Sequence, residues 1–390
     1  MFAVLRATRK VSAVLIGVLS LLWLSSCQMQ GPGGGPSINT SRPVPVALLV
    51  PRGSGQATDD SLAQALENAA RLAMSELDGV KIDLRVYDTA ASPTQTANMA
   101  VKAVQDGAKI ILGPVFAQNA NAAGLAVASR NVNVLSFSNN PSIAGRNVFI
   151  LGNTFQNTAN RLVRYATSQG KGNILIAHGN DAAEISGRDA IRRAISDSGA
   201  TLASVAPFEL SQNAVINALR GISDQVSESG AQSIFMTSGT SGALPLLAGL
   251  LPENGVKPAD IQYIGLQRWD IPASALALPG LQGGWFALPD PYLTDQFNAR
   301  YQAAYGTRPH PIAGLAYDGI AAIGALVKSG NSGALTTTAL TQSAGFIGVN
   351  GVFRLLQNGT NERALSVAQI QDKQVVVIDP APRSFAGAGF

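Results

Sequence analysis

Side chains that commonly carry out catalysis or bind metals are scarce in this sequence. It contains one cysteine, Cys27, and two histidines, His178 and His310. His178 ends an apolar segment and His310 lies in Arg-Pro-His-Pro, so each is better explained as a strand-end or turn residue than as a general base. No two histidines are spaced for one face of a helix, and no cysteine cluster exists. The sequence therefore predicts no metal site.

Motifs that would position a nucleophile or a phosphate are also incomplete. The stretch SGTSGA at 238–243 lacks the Gly-x-Ser-x-Gly spacing of a nucleophile elbow. PRGSG at 51–55 matches neither a P-loop nor a dinucleotide fingerprint. The carboxylates of Asp88, Asp181 and Asp318 cannot be paired from sequence alone. We therefore expect a protein that is not an enzyme, with no catalytic residue and no cofactor.

The N-terminus has the pattern of an export signal. Three basic residues precede the run Val11–Leu24, which is apolar except for serine and glycine. A membrane-spanning helix needs roughly 18 or more apolar residues, and this run is shorter. The pattern predicts a signal peptide over residues 1–26 that is removed on export.

Cys27 follows this run in a recognisable context. Leu-Ser-Ser-Cys at 24–27 resembles the bacterial lipobox, and the resemblance implies that Cys27 becomes the acylated first residue of the mature chain. Several acyl chains would hold it stably on a membrane. Gln28 at the next position implies the outer membrane, with the protein facing the periplasm. The alternative is a buried cysteine in an ordinary N-terminal helix.

Composition excludes other classes of protein. The chain is 46% apolar and 13% charged, which is typical of a globular protein and not of a disordered one. Its formal charge of +4 depends on the three basic residues near the N-terminus, because 25 basic residues then face 24 acidic ones. We expect no nucleic-acid partner.

After the N-terminal segment, short apolar runs alternate with longer segments in which apolar residues recur with the spacing of an α-helix. Residues 27–43, rich in Gly and Pro, predict a flexible tether. Runs such as Val46–Val50 and Ile110–Leu112 predict parallel strands, and Ser61–Leu77, capped at Asp59 to Ser61, predicts a crossover helix. The pattern repeats from residue 174 onward, which indicates βαβ units.

The sequence contains two sets of βαβ units, and its last segments return to the first set. This order predicts an α/β protein of two Rossmann-like lobes with parallel sheets around an interlobe cleft. The expected division assigns lobe 1 to 44–154 and 288–362, lobe 2 to 155–287 and 363–380, and a tail to 381–390.

Several segments resemble one superfamily. They are VALLVPRGSGQ, IILGPVFAQNANAAGLAVAS followed by NVNVLSFSNN, ILIAHGND and YIGLQRWD. Their order is similar to that of type I periplasmic-binding proteins, in particular the leucine/isoleucine/valine-binding branch. The resemblance covers Val44 to Pro380 and implies that fold.

The same resemblance implies where a ligand would bind. In amino-acid-binding members, loops equivalent to Pro114–Asn119 and Phe137–Asn140 hold the ligand carboxylate, and an acid in the second lobe pairs with its ammonium. Here Ala117 stands where a hydroxyl residue is expected, and Gln267 stands at the position of the acid. The candidate cleft residues are Phe116, Ala117, Gln118, Ser138, Asn139, Asn140, Thr240, Gln267 and Asp270.

Ala117 and Gln267 depart from the amino-acid-binding pattern. Stretches such as WDIPASALALPGLQGGWFALPDP resemble a narrower family, the penicillin-binding protein activators. That resemblance implies a lipid-anchored regulatory partner of a peptidoglycan synthase, with a muropeptide as one candidate ligand. The alternative is a substrate-binding lipoprotein that delivers an amino-acid-like ligand to an ABC permease. A ligand screen separates the two hypotheses.

Overall fold

Runs of Val, Ile, Leu and Ala form strands that helices cover on both faces, which explains why they are apolar throughout. In the computed structural model, which describes residues 35–385, the first five strands are β1 Val44–Val50, β2 Ile82–Asp88, β3 Ile110–Leu112, β4 Asn133–Ser136 and β5 Val148–Ile150. They form an all-parallel sheet in the order β2-β1-β3-β4-β5. This sheet is the centre of lobe 1.

Three helices connect these strands: α1 Ala57–Ser75, α2 Pro93–Gln105 and α3 Ala117–Val127. Ser92 caps α2 by accepting a hydrogen bond from the Gln95 N–H group, and Pro93 occupies the first turn. The cap predicted between Asp59 and Ser61 is wrong, because α1 begins at Ala57 and both aspartates lie in its first turn. There their charge still favours the positive end of the helix dipole.

The chain then builds lobe 2. Its elements are α4 Phe155–Ser168, β6 Asn173–Gly179, α5 Ala182–Ser198, β7 Thr201–Phe208, α6 Gln212–Ser229, β8 Ser233–Met236, α7 Leu244–Leu250, β9 Gln262–Gly265 and β10 Trp285–Leu288. Helix α5 begins at Ala182, six residues before the start that the sequence predicts, because Asp181 caps it. Helix α4 was not predicted, since its sequence is largely polar.

The next segments return to lobe 1: α8 Pro291–Tyr305, α9 Gly314–Lys328, α10 Thr337–Leu340, β11 Phe346–Gly348, β12 Gly351–Leu355 and β13 Asn361–Arg363. The three short strands form an antiparallel sheet against α9. Finally β14 Ser366–Gln371 and β15 Gln374–Asp379 complete the lobe 2 sheet, in the order β15-β14-β10-β9-β8-β6-β7. β14 is antiparallel to β10, and β15 to β14. The predicted α/β fold class is confirmed.

Part of the predicted tether belongs to the folded body. Ile38 is only 6% exposed within the lobe 1 core, and its N–H donates to the Ser332 carbonyl at 2.9 Å. A Cβ on Gly35 would meet the Thr336 backbone at 2.6 Å, so glycine allows this close approach. The prediction of a free tether is wrong for residues 35–43, because Ile38 provides an apolar side chain that the core buries.

Cys27 and the predicted signal peptide lie outside the described residues. Within 35–385, no helix is long and apolar enough to cross a membrane.

The chain crosses between the lobes three times, at residues 151–154, 289–290 and 364–365. A buried ion pair lies beside two of these crossings. Arg363 Nη1 contacts Asp318 Oδ2 at 3.0 Å, and Arg363 Nε donates to the Leu151 carbonyl at 2.6 Å. The Val349 N–H donates to the other Asp318 oxygen. Burial raises the pKa of Asp318, while Arg363 opposes that shift.

Replacing Asp318 by Asn tests this pair. The substitution leaves the Arg363 guanidinium as an uncompensated buried charge, so we expect a loss of about 3 kcal/mol in the free energy of unfolding. Urea unfolding followed by circular dichroism measures it.

Glu362→Gln is the matched control, because the Arg354–Glu362 pair in the same sheet is partly exposed. We expect it to cost about 1 kcal/mol or less. Equal losses in the two variants would contradict the special role of the buried pair.

Candidate functional site

The carboxyl ends of the parallel strands in both lobes lie at the boundary between the lobes. The chain leaves β5 at its carboxyl end to enter lobe 2, and leaves β10 at its carboxyl end to return to lobe 1. Strands parallel to these end at the same edges. Loops that follow β3, β4, β6, β8 and β9 therefore face the boundary, which is where open α/β sheets bind ligands.

In lobe 1, the loops that follow β3 and β4 are joined by hydrogen bonds. Ser136 Oγ donates to the Pro114 carbonyl at 2.8 Å, and the Phe137 N–H donates to the same carbonyl at 3.0 Å. The structure thus brings together the two loops that contain six of the candidate residues.

Helix α3 begins in the first of these loops without a side-chain cap. Phe116 stands before it in an extended conformation, 39% exposed, and offers no capping oxygen. Ala117 is partly buried and Gln118 is exposed. Uncapped backbone N–H groups at a helix start attract an anion, because the helix dipole adds to their partial charge.

Ser138 is the buried polar residue of the second loop. Its Oγ accepts a hydrogen bond from the Asn140 N–H at 3.1 Å, which leaves the hydroxyl hydrogen available to another partner. Asn139 is exposed. The Asn140 side-chain oxygen Oδ1 accepts from the Ser142 N–H at 2.9 Å, and its amide nitrogen could donate to a ligand.

In lobe 2, the three candidate residues occupy neighbouring loops but already have partners. Gln267 Nε2 donates to the Thr237 carbonyl at 2.9 Å, and Thr240 Oγ1 donates to the Ile271 carbonyl at 2.6 Å. Asp270 accepts from Arg268 Nε at 2.6 Å, and this ion pair neutralises its charge. Asp270 is therefore a poor partner for a ligand ammonium.

A carboxylate that the sequence analysis missed lies among these loops. Glu184, in the first turn of α5, is 7% exposed and accepts hydrogen bonds from Thr237 and Ser238. A signal exists in the sequence, because Asp181 and Glu184 have the spacing of a capping box. The contacts across the sheet to residues 53 and 54 positions away could not be read from it.

A small pocket lies elsewhere, at the crossings between the lobes. Its lining includes Asn157, Arg161 and Arg363, and none of the candidate cleft residues. Arg161 is held there by the Leu365 carbonyl and Asp379. We assign this pocket to the hinge.

The chain has two lobes joined by three crossings, with loops at facing strand ends. A comparison with family models agrees with this architecture. The model described as periplasmic binding protein matches residues 43–374. The chain belongs to the periplasmic binding protein family. No curated protein sequence is significantly similar to it.

Solved structures of similar fold include proteins of ABC transporters. A branched-chain amino acid ABC transporter protein from Rhodospirillum rubrum has a TM-score of 0.73 at 17% identity, over 86% of this chain and 100% of its own. An ABC transporter substrate-binding protein from Desulfitobacterium hafniense, in complex with Leu, has a TM-score of 0.62 at 19% identity, with the same coverage.

A solute binding protein of an ABC transporter from Rhodopseudomonas palustris, in complex with 3,4-dihydroxybenzoic acid, has a TM-score of 0.56 at 18% identity over 87% of this chain and 96% of its own. At these identities the similarity establishes the type I fold of this periplasmic binding protein, and its ligand is a separate question.

Replacing Gln267 by Glu tests the lobe 2 geometry. A resemblance to amino-acid sites suggests that an acid here would bind a ligand ammonium. The structure predicts a different result: Glu would place a carboxylate against the Thr237 carbonyl, so we expect a loss of about 1–3 kcal/mol in the free energy of unfolding.

Chemical denaturation measures this loss. Gln267→Met is the control, because it removes the hydrogen bond without adding charge and should cost less. A stability unchanged from wild type in Q267E, with gained affinity for an α-amino acid, would contradict the prediction.

Proposed function

We propose that this protein is the extracytoplasmic substrate-binding component of an ABC importer and that it binds a small carboxylate between its two lobes. The binding-protein family to which it belongs acts outside the cytoplasm, and the similar structures named above are ABC transporter proteins. This proposal implies that the protein partner is the permease of the ABC importer.

The observation that carries the proposal is the lobe 1 half of the cleft. An uncapped helix start at Ala117 lies beside the loop that contains the hydroxyl of Ser138, and the two loops are held together through Pro114. Backbone N–H groups with one hydroxyl suit a carboxylate.

The two ligands known in the similar structures have this group in common. Leucine and 3,4-dihydroxybenzoic acid differ in almost every other respect, but each carries a carboxylate. We infer that lobe 1 fixes the carboxylate and that the remainder of the cleft selects the rest of the molecule.

A thermal-shift screen of the purified protein tests the proposal. The probes are the twenty L-amino acids and hydroxylated benzoic acids. A ligand at 100 times its Kd stabilises by about 2.7 kcal/mol, so we expect an increase of several degrees in Tm for at least one carboxylate.

Variants locate the site of any response. Ser138→Ala should weaken binding about tenfold, because it removes a hydrogen bond to a charged group. Ser142→Ala is the matched control, since its exposed side chain lies on the same loop. Equal affinity in both variants would place the ligand elsewhere.

A second candidate function is that of a penicillin-binding protein activator, a regulatory partner of a peptidoglycan synthase. Exposed apolar side chains support it: Ile271 is 53% and Tyr292 69% exposed, within or next to the segment that resembles those activators. The aromatic residues Trp269, Trp285 and Phe286 of that segment are buried and serve the lobe 2 core.

The same screen separates the two candidates. No response to any amino acid, benzoic acid or muropeptide, together with direct binding to a purified peptidoglycan synthase in biolayer interferometry, would replace the importer proposal with the activator one. Loss of that binding in Ile271→Asp but not in Ile216→Asp, an exposed isoleucine on α6, would place the contact.

We also infer that Cys27 is acylated and that the mature protein is held on a membrane, with the outer membrane favoured by Gln28. Cell fractionation tests this inference. Wild type should sediment with membranes, and Cys27→Ala should appear in the soluble periplasmic fraction or stay unprocessed. Soluble wild-type protein of the full precursor mass would overturn the inference.

A further inference from the structure

The side chain of Glu184 occupies a site built for a carboxylate. Its Oε2 accepts hydrogen bonds from the Gly179 N–H at 2.5 Å and from Thr237 Oγ1 at 2.8 Å. Ser238 Oγ lies 2.7 Å from Oε1 and 2.8 Å from Oε2. One backbone amide and two hydroxyls, at the carboxyl ends of β6 and β8, thus surround one carboxylate.

Helix capping explains only part of this arrangement. Asp181 already caps α5, with its Oδ1 accepting from the Glu184 N–H at 2.7 Å. A capping-box glutamate returns to the N–H of the cap residue, whereas Glu184 reaches Gly179, two residues earlier. The hydroxyls of Thr237 and Ser238 belong to the loop after another strand, so capping does not require them.

The surroundings enclose the carboxylate. A Cβ on Gly179 would lie 2.9 Å from Glu184 Oε2 and 2.6 Å from Leu210, so the absent side chain at Gly179 makes room for both. Thr237 and Ser238 are buried as well. No ion pair within residues 35–385 includes Glu184, so its partners there are neutral donors.

We propose that Glu184 is an intramolecular ligand: its carboxylate fills an anion-binding corner of lobe 2 that would otherwise accept a small free carboxylate. The ligand class of the vacated corner is a monocarboxylate of the size of formate or acetate. In the wild-type protein the corner is closed to such ions, because the Glu184 carboxylate already takes its three donors.

Chemical rescue tests this proposal independently of any transport function. The variant is Glu184→Ala, and the probes are sodium formate and sodium acetate at constant ionic strength, with sodium chloride as the salt control. Loss of the side chain should lower the folding equilibrium constant at least tenfold. Formate or acetate should then raise Tm in a saturable way, whereas chloride should not.

Two controls separate the anion site from capping. Asp181→Ala removes the cap but keeps Glu184, so it should lose stability without responding to acetate. Wild type should not respond either. An acetate response of the same size in wild type or Asp181→Ala, or none in Glu184→Ala, would overturn the proposal.

A double-mutant comparison covers the case in which Glu184→Ala does not fold. Ser238→Ala should cost about tenfold in the folding equilibrium constant of wild type, but only about threefold in the E184Q background, because a charge-assisted hydrogen bond is roughly twice as strong as a neutral one. Equal costs in both backgrounds would show that the carboxylate charge is not what Ser238 binds.

Discussion

The position of one lobe relative to the other depends on the contacts of the Arg363 guanidinium. It sits at the end of β13, immediately before the chain crosses to β14, and it bonds both to Asp318 in lobe 1 and to the carbonyl of Leu151 at another crossing. Burying this pair is costly unless its geometry is good, and two further hydrogen bonds to Arg363 and Asp318 help to satisfy it. Because two of the three crossings meet there, the strand ends of both sheets are fixed near one axis.

Asn361 extends the same junction. Its Nδ2 donates to the carbonyls of Ile150 and Gly152, and its Oδ1 accepts from Asn157 on α4. The neighbouring crossings are thereby linked through one buried amide. A rotation of one lobe relative to the other is then expected to occur about this polar junction and not by its disruption.

Much of the fold could be predicted from the sequence because parallel strands covered on both faces require continuous apolar runs, such as Ile110–Leu112. Helix α4 could not, because its buried face includes polar residues such as Asn157 and Thr158. Strand β11 could not either, because it exposes Ile347 and buries Gly348, the reverse of the usual pattern. The packing of Ile38 depends on Ser332, which is remote in the chain. Long-range partners of this kind leave no local pattern.

Prediction of the site had a similar limit. The loops around Ala117 and Ser138 follow directly from where β3 and β4 end, and the structure joins them. Asp270 was a candidate because it lies three residues after Gln267, the position aligned with the acid of amino-acid-binding relatives, but the structure pairs it with Arg268. Glu184 was overlooked because its hydroxyl partners lie on a loop more than fifty residues away, and only the pairing of β6 with β8 brings them together.

The packing of residues 35–43 has a mechanical consequence. Ile38 is buried in the core of lobe 1, and its N–H donates to the loop between α9 and α10, so residues 35–43 are packed on that lobe. A rotation of lobe 2 about the junction at Arg363 would leave residues 35–43 packed on lobe 1.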